Sequence, residues 1–285
     1  MKILLTGATG QVGYELERSL QGLGQVIAPG RAQLDLSRLD QVRDVIRDLK
    51  PDLIVNPAAY TAVDLAESEA AFAMRINGEA PAVMAEEARR LGAAMIQYST
   101  DYVFDGTKAG RYREDDPTNP LGVYGQTKLA GEQAVQAAGI PHLILRTSWV
   151  YGMRGKNFLL TMLRLAKERP ELRIVNDQRG APTWSRTIAD TTAHILAQAS
   201  HAGAPWWDAH SGLYHLTATG DTSWFGFTEA ILAQAGLSCS LVPIGTTEYP
   251  TPARRPSNSR LSCDKLRSQF CDMPHWKDSL RLCMS

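Results

Sequence analysis

The sequence predicts an α/β fold, in which helices cover both faces of a doubly wound parallel sheet and a smaller lobe follows toward the C-terminus. Two observations lead to this prediction. Over the first two-thirds of the chain, short apolar runs alternate with segments of helical periodicity, which is typical of βαβ units. A glycine-rich turn follows the first apolar run directly, and sheets of this class bind ligands at the carboxyl ends of their strands.

Five short apolar runs are predicted as strands, with helical patterns between them. The predicted strands are Ile3–Thr6, Gln25–Ala28, Leu53–Asn56, Ala93–Ser99 and His142–Arg146. The predicted helices are Gly10–Leu20, Leu39–Leu49, Ala70–Leu91 and Gly125–Ala138. Pro81 predicts a break or kink in the third helix, because proline has no N–H to donate to the helical ladder.

The pattern changes after about residue 150. Helices are predicted at Phe158–Lys167 and Ile188–Ala199, and the segment between them, Ile174–Trp184, is predicted as a loop because it is rich in Gly and Pro. Beyond Gly203 come turn signals, aromatic residues and the proline-rich stretch Pro243–Pro256. This part therefore reads as an irregular lobe.

These patterns divide the chain into two unequal parts. We predict that residues 1–150, completed by roughly 184–218, form the sheet-containing domain, and that residues 151–183 and 219–285 form the smaller lobe. Loops on a rigid scaffold commonly carry binding residues, so the smaller lobe is the expected place for substrate contacts.

Composition excludes several classes of partner. Lys and Arg total 30, as do Asp and Glu, so the balanced charge gives no support for binding to nucleic acid. No apolar run approaches the roughly 18 residues that span a bilayer, and the apolar start is too short for a signal peptide, so we expect a cytoplasmic protein. The four cysteines form no CxxC pair and are read as reduced thiols without a metal or disulfide role: Cys239, Cys263, Cys271 and Cys283.

The glycine turn predicts a dinucleotide site. Gly7, Gly10 and Gly13 follow a strand and open a helix, where they permit a tight turn, close approach of a pyrophosphate and close packing of helix on strand. The helix amides then face the phosphates. The spacing is Gly-x-x-Gly-x-x-Gly rather than Gly-x-Gly-x-x-Gly, so a plain tight turn stands as the alternative.

The end of the second predicted strand favours NADP over NAD. An acidic residue there would bind the ribose 2′-hydroxyl of NAD, whereas an arginine suits the 2′-phosphate of NADP. This strand ends without an acid and Arg31 follows it, although Arg31 as a solvated loop residue is the alternative. By analogy, Asp35 and Leu36 would lie beside the adenine.

Tyr124 and Lys128 form a second chemical signal. Four residues apart on a predicted helix, they lie on one face, where a lysine ammonium lowers the pKa of a tyrosine and helps it exchange a proton with a substrate oxygen. A hydroxyl from the segment Tyr98–Asp101, at the end of the fourth strand, could hydrogen-bond the same oxygen. A surface tyrosine beside a solvated lysine is the alternative for the pair alone.

With these motifs in this order, the sequence resembles the extended short-chain dehydrogenases, which have a Rossmann-type fold, and among them the dTDP-4-dehydrorhamnose reductase family. The resemblance extends over nearly the whole chain. It is carried by the stretches Thr6–Gly13, Asn56–Asp64, Tyr98–Phe104, Tyr124–Glu132, Arg146–Tyr151, Asn176–Thr183, Tyr249–Pro256 and Asn258–Leu261.

The resemblance implies reduction of the 4-keto group of dTDP-4-dehydro-6-deoxy-L-mannose to dTDP-L-rhamnose, the last step of dTDP-rhamnose biosynthesis. NADPH is the implied hydride donor, with NADH as an alternative. Tyr124 would donate the proton, Lys128 would hold the nicotinamide ribose and tune Tyr124, and Thr100 would hydrogen-bond the sugar oxygen.

The resemblance also assigns the remaining site residues. Those expected to bind the cofactor are Gly7, Gly10, Gln11, Val12, Gly13, Arg31, Asp35, Leu36, Ala58, Ala59, Tyr60, Thr61, Tyr98, Tyr124 and Lys128. Those expected to bind the substrate are Thr100, Asp101, Tyr124, Trp149 and Arg255. Trp149 could instead be a core aromatic, and Arg255, the candidate for the substrate diphosphate, could instead be a turn arginine.

One departure from the family bears on a metal. Some members bind Mg²⁺ at a dimer interface through glutamates, but here Glu15 is kept while Arg186 occupies the later position. Mg²⁺ needs hard oxygen ligands, so the loss of a carboxylate and the gain of a guanidinium argue against the ion. We expect no metal, and either a monomer or a homodimer.

Two other functions remain open at this point. Another nucleotide-sugar modifying enzyme, an epimerase or a dehydratase, shares the motifs, although a dehydratase would place a Glu after Asp101 and none is there. A non-catalytic NADP-binding protein resembling the regulatory subunit of methionine adenosyltransferase would share the fold. The presence of Thr100, Tyr124 and Lys128 argues against it.

Overall fold

The computed structural model describes residues 1–202 and 204–285, so Gly203, where the turn signals were expected to begin, lies outside the described residues. The strands are β1 (Lys2–Leu5), β2 (Gln25–Ile27), β3 (Leu53–Asn56), β4 (Ala94–Thr100), β5 (His142–Thr147), β6 (Val150–Tyr151), β7 (Glu171–Val175), β8 (Arg179–Gly180), β9 (Thr183–Trp184), β10 (Gly212–His215), β11 (Thr222–Ser223) and β12 (Ser240–Ile244). The helices are α1 (Gln11–Ser19), α2 (Leu39–Leu49), α3 (Val63–Ala66), α4 (Ala70–Met74), α5 (Ala80–Leu91), α6 (Val123–Ala137), α7 (Phe158–Glu168), α8 (Ser185–Ala202), α9 (Ala204–His210), α10 (Trp224–Ala235), α11 (Asp264–Gln269) and α12 (Trp276–Cys283).

The main sheet is parallel throughout, which confirms the predicted fold class. Within the described residues it has six strands, in the order β10-β5-β4-β3-β1-β2. The five predicted strands all belong to it, and β10, which the sequence did not single out, adds the sixth. Its apolar side chains alternate between two cores, with Ile3 and Leu5 packed in one and Leu4 in the other. Helices therefore cover both faces.

The strand order reverses next to β1, and this reversal positions the ligand site. The chain runs from β1 outward to β2, then returns to β3 on the other side of β1. Loops that leave neighbouring strands in opposite directions open a crevice at the carboxyl edge of the sheet. The glycine turn after β1 and the segment Pro57–Thr61 after β3 form its two sides.

The predicted long helix Ala70–Leu91 is interrupted, but one turn earlier than predicted. A π-helical turn, Arg75–Glu79, separates α4 from α5, and Pro81 lies inside the first turn of α5. Pro81 has no N–H to donate to the carbonyl of Asn77 four residues before it, and its ring crowds that carbonyl. The helix accommodates this by widening the preceding turn, which frees Asn77 for other contacts.

The C-terminal part is more regular than the sequence indicated. The predicted loop Ile174–Trp184 contains the end of β7 and the short strands β8 and β9. Helix α10 was missed because apolar residues occupy most of its surface, so the sequence shows no helical period there. One side of α10, with Phe227 and Ile231 at its centre, packs into a separate core formed with α7, α12 and β7.

Two simple properties of the described residues concern compartment and redox state. No helix among them is both long and apolar enough to cross a bilayer. Their cysteines are all free thiols.

Gly13 is the glycine on which the packing of α1 most depends. A Cβ atom at this position would lie 2.1 Å from the carbonyl oxygen of Gly7, whereas one at the exposed Gly22 would meet nothing within 4 Å. We expect Gly13→Ala to lower the free energy of unfolding by about 3 kcal/mol and Gly22→Ala to change it by less than about 0.5 kcal/mol. Urea denaturation measures both, and equal effects would show that the turn relaxes freely.

Candidate active site

A cleft of about 890 Å³ runs along the carboxyl edge of the sheet. Every residue predicted to bind the cofactor lines it, from Arg31 at the end near β2 to Tyr124 and Lys128 at the end near β4. A dinucleotide is an elongated molecule that needs such a continuous wall. The structure therefore brings together residues from five separate parts of the sequence.

Hydrogen bonds between buried side chains join the ends of the three central strands. The hydroxyl of Thr6 after β1 donates to Asn56 Oδ1 at 2.5 Å, and Asn56 Nδ2 donates to Gln97 Oε1 on β4 at 2.8 Å. Such fully buried bonds are stronger than those in water and favour one arrangement. These bonds fix the positions of the ends of β1, β3 and β4 relative to one another, and the cleft lies at these strand ends.

Tyr124 reaches the site because α6 approaches the turn after β4 unusually closely. A Cβ atom on Gly125 would lie 2.1 Å from the carbonyl oxygen of Tyr102, so only glycine permits this contact. The rings of Tyr102 and Tyr124 then pack edge to face with centroids 5.4 Å apart. The start of α6 is also held by Glu67, whose Oε1 accepts a hydrogen bond from Val123 N at 2.9 Å.

The environment of Tyr124 keeps its hydroxyl protonated. Burial raises the pKa of Tyr124 well above its ordinary value, the carboxylate of Asp101 raises it further, and the hydroxyl of Thr100 acts weakly in the opposite direction. The net shift of this pKa is therefore upward, opposite to the expected lowering, and Lys128 is not among the groups that cause it. The Lys128 ammonium instead donates a 2.6 Å hydrogen bond to the carbonyl of Tyr98.

Lys128 is part of a buried charge cluster with Glu132 and Arg146. Burial lowers the pKa of Lys128 to about 8, while the Glu132 carboxylate, one helical turn away, acts to raise it. Glu132 is bound by both Nε and Nη2 of Arg146, at 2.8 and 2.6 Å. A single carboxylate thus compensates two buried cations, and it keeps the ammonium of Lys128 charged near neutral pH.

Thr100 and Asp101 form a buried pair beside Tyr124. The hydroxyl of Thr100 accepts a hydrogen bond from Tyr102 N at 3.2 Å and donates to Asp101 Oδ1 at 3.1 Å. Within the part of the chain that the structure describes, Asp101 Oδ2 has no partner. Burial raises the pKa of Asp101 to about 6. Hydrogen bonds from Ser259 and Thr100 act against this rise in the pKa.

Two more buried hydroxyls test whether the cleft fits a cofactor. Ser99 Oγ and Thr147 Oγ1 have no hydrogen-bond partner among the described residues, and both residues line the cleft. Buried polar atoms in folded proteins are almost always paired. A polar group bound at this end of the cleft would satisfy them, so the residues present fit a nicotinamide dinucleotide.

Trp149 lies in a strained position. Its φ angle is +48°, in the left-handed region that residues other than glycine rarely adopt. Its ring stacks on Trp224, with centroids 3.6 Å apart and planes 8° from parallel, and Trp224 Nε1 donates to Gln178 Oε1. Trp149 does not line the cofactor cleft. Its side chain is half-buried, so it is not a fully buried core residue.

Arg255 is engaged within the protein. Its two terminal nitrogens donate to the two carboxylate oxygens of Asp64, at 3.0 and 2.8 Å, and one of them also donates to Thr251 Oγ1 and Ala253 O. This fork ties the proline-rich segment to the start of α3. The observed pairing agrees with the alternative of a structural arginine, and a contact to the substrate diphosphate stays a prediction.

Arg31 lies at the opposite end of the cleft from Tyr124. Its side chain is 75% exposed, and its Nε lies 3.6 Å from Asp35 Oδ2. A hydrogen bond from Ser37 N holds the pKa of Asp35 below its ordinary value, with burial acting against it and Arg31 adding to it. The guanidinium is thus placed at the cleft but remains accessible to a phosphate.

Several residues of the site were not found from the sequence. Asn77, in the π-helical turn, accepts from Tyr60 N at 2.8 Å and donates to Thr127 Oγ1, which connects the segment after β3 to α6. Arg154 and Lys156 line the cleft from a loop after β6. Their only signal in the sequence is two basic residues around a glycine, which is common in solvated loops.

Arg186, which occupies the position of a metal-binding glutamate in some relatives, has another partner. Arg186 Nε lies 3.6 Å from Asp190 Oδ2, and Asp190 Oδ1 also accepts from Ser19. Over residues 1–202 and 204–285, no group of three or more His, Cys, Asp or Glu side chains could hold an ion.

Known proteins are similar to this chain in sequence and in fold. The sequence profile of the family described as RmlD substrate binding domain matches residues 1–285. A dTDP-4-dehydrorhamnose reductase from Burkholderia thailandensis is 53% identical over 296 residues, covering 100% of this chain and 98% of the relative. The crystal structure of a dTDP-4-dehydrorhamnose reductase from Clostridium acetobutylicum has a TM-score of 0.92 and 36% identity, covering 100% of this chain and 98% of that one. That of the Bacillus anthracis enzyme in complex with NADP has a TM-score of 0.91 and 34% identity, covering 99% and 98%.

The raised pKa of Asp101 predicts a pH-dependent stability. Its folded-state pKa of about 6 exceeds its ordinary 3.8, so the charged carboxylate destabilises the fold above pH 6 and this cost disappears as pH falls toward 4. We expect Asp101→Asn to be more stable than the wild type by about 2–3 kcal/mol at pH 8 and to lose that advantage at pH 4.

Urea denaturation from pH 4 to pH 8 measures the difference between the two proteins. Other groups whose protonation differs between the folded and unfolded chains in this range, such as the buried His215, are present in both proteins and cancel in the difference. A constant difference across the range would mean that the Asp101 carboxyl is not desolvated.

Proposed function

The chain belongs to the dTDP-4-dehydrorhamnose reductase family, and we propose that it reduces the 4-keto group of dTDP-4-dehydro-6-deoxy-L-mannose to dTDP-L-rhamnose with NADPH. The observation that carries this proposal is the position of Tyr124 and Lys128 together at one end of the dinucleotide cleft. A proton donor beside the reacting end of a hydride carrier is what reduction of a ketone requires.

NADPH would occupy the cleft along the glycine turn, with its adenosine toward Arg31 and its nicotinamide toward Tyr124. NADPH supplies the hydride when bound. The basic residue at the end of β2 and the NADP found in the Bacillus anthracis relative support NADPH, and NADH is proposed as a weaker alternative. Lys128 is placed to bind the nicotinamide ribose from α6.

The chain's own groups then handle the charge that forms on the sugar oxygen. As the C4 carbonyl accepts a hydride, its oxygen becomes an alkoxide, to which Tyr124 gives its proton. Thr100 would donate a hydrogen bond to the same oxygen by turning its hydroxyl proton away from Asp101 Oδ1, to which it otherwise donates. The high pKa of Tyr124 keeps its proton in place until the more basic alkoxide forms. We propose that the ammonium of Lys128 then favours the phenolate that is left.

The sugar would bind on the side of Tyr124 away from the glycine turn. Asp101 is proposed to accept a hydrogen bond from a sugar hydroxyl through its orphaned Oδ2. Trp149 is proposed as an apolar wall for the sugar ring, supported by its half-buried position. Arg255 would bind the substrate diphosphate only if its guanidinium released Asp64 or contacted Asp64 and the diphosphate at the same time.

We further propose the division into a cofactor domain, residues 1–150 with roughly 184–218, and a substrate lobe, residues 151–183 and 219–285. The position of β10 in the main sheet and the separate core around α10 support it. A cytoplasmic monomer or homodimer that acts without a metal is likewise proposed.

Removal of the Tyr124 hydroxyl tests the reaction. Tyr124→Phe should lower kcat by a factor of about 10²–10⁴ because only the proton donor is lost, while the Kd for NADPH stays nearly constant. Tyr151→Phe is the matched control, since that buried hydroxyl lacks a partner among the described residues and lies in the core of the smaller lobe.

NADPH oxidation with the dTDP-4-keto sugar, followed by product identification, provides the measurement. Sugar conversion by the wild type without net loss of NADPH would indicate an epimerase or a dehydratase. NADPH binding without any reaction would indicate a binding protein. Near-normal turnover of Tyr124→Phe would show that another group donates the proton.

The exposed guanidinium of Arg31 is expected to bind the 2′-phosphate of NADPH. Arg31→Ala is expected to raise the Kd for NADPH by about tenfold, because a charge-assisted hydrogen bond is lost, and to leave the Kd for NADH unchanged. Arg89→Ala, an exposed arginine on α5, is the control. Equal losses for both dinucleotides would show that Arg31 does not contact the 2′-phosphate.

A further inference from the structure

The loop Gly152–Asn157, which we call the basic loop, is fastened to the first residue of α1. Asn157 Nδ2 donates to Gln11 Oε1 at 2.8 Å and to Gly152 O at 2.8 Å. The same side chain caps α7, because its Oδ1 accepts from Leu160 N at 3.1 Å. One asparagine therefore closes the loop and joins it to the glycine turn, although these segments are 146 residues apart in sequence.

The basic loop directs two cations at the cleft. Arg154 and Lys156 both line it, and the glycine between them has a φ of +76°, which turns the backbone between the two side chains. The guanidinium carbon of Arg154 lies 4.1 Å from the ring centroid of Tyr14, in the second turn of α1. The guanidinium carbon of Arg18 lies 3.4 Å from the same centroid, so the Tyr14 ring contacts both arginines. Tyr14 thus holds Arg154 beside the start of α1.

These two cations are the uncompensated positive charge of the cleft. Over residues 1–202 and 204–285, four cations and the carboxylates of Glu17 and Asp35 line it. Arg31 is paired with Asp35, and Lys128 lies by Glu132. Arg154 and Lys156 form no ion pair within those residues.

We propose that Arg154, assisted by Lys156, binds the pyrophosphate of the dinucleotide from the side opposite the glycine turn. The proposal rests on the cofactor assignment made above and adds residues to it. The backbone amides at the start of α1 would contact the pyrophosphate from one side. The fork-shaped guanidinium of Arg154, placed over Tyr14, would contact it from the other. Because NADPH and NADH share the pyrophosphate, this contact cannot distinguish them.

Dissociation constants for three probes test the proposal without any sugar nucleotide. The probes are NADPH, NADH and adenosine 2′,5′-bisphosphate, which keeps the 2′-phosphate and lacks the pyrophosphate. The proteins are the wild type, Arg154→Ala, Arg154→Lys, the double variant Arg154→Ala/Lys156→Ala, and Arg281→Ala as a control at an exposed arginine on α12. Thermal unfolding of each protein confirms that it is folded.

We expect Arg154→Ala to raise the Kd of NADPH and of NADH by the same factor, about tenfold, and the double variant to raise both further. The Kd of adenosine 2′,5′-bisphosphate should rise by a smaller factor than that of NADPH, because this probe keeps the 2′-phosphate but only one of the two phosphates that the pyrophosphate contains. Arg154→Lys should recover part of the affinity because it keeps the charge, and the losses should shrink at high salt because exposed charges are screened.

Two results would overturn the proposal. If NADPH and adenosine 2′,5′-bisphosphate were weakened while NADH was not, the basic loop would contact the 2′-phosphate. If folded variants bound all three probes like the wild type, the two cations would be solvated surface charges. A wild type that bound no dinucleotide would instead refute the cofactor assignment itself, so the two failures are distinguishable.

Discussion

The close approach of α6 to the turn after β4 is the contact on which the chemistry of this protein depends. Gly125 lies against the carbonyl of Tyr102, and a methyl group there would push the helix away. Because Tyr124 precedes that glycine and Lys128 follows one turn later, any shift of α6 would move both from the strand end. Catalytic groups must be held within a fraction of an ångström, so this backbone contact matters more than the side-chain contacts around it.

Charge is distributed unevenly around that contact. On the helix side, Glu132 shares its charge between Lys128 and Arg146, and the group as a whole is positive. On the strand side, Asp101 is buried without a cation beside it. The tyrosine between them therefore lies in an asymmetric field in which a proton moves readily toward a new anion on the substrate. Buried ion pairs contribute little net stability, so the value of this arrangement lies in position and electrostatics.

How far the sequence determined the site depends on the range of the interactions involved. The glycine turn, Tyr124 and Lys128 were recognisable because short spacings encode their geometry, and the parallel sheet followed from periodicity. The contact of the basic loop with Gln11 could not be recognised in this way, because one asparagine makes it between segments that are 146 residues apart. The pairing of Arg255 with Asp64, 191 residues apart, was hidden for the same reason. The direction of the pKa shift of Tyr124 was misjudged because burial, which no local pattern reports, raises that pKa.

The π-helical turn before α5 has a consequence for the history of the chain. A π-turn holds one residue more than an α-turn, so the helix here contains one residue more than a regular helix of the same length would. Each added residue rotates the part of the helix before it by about 100° about the helix axis relative to the part after it. A lineage that later deleted one codon here would regain a regular helix but would turn Asn77 away from Tyr60 and Thr127. Natural insertions and deletions should therefore be scarce in this segment, even though π-turns cost a helix some of its hydrogen bonding, and common in the exposed connections elsewhere.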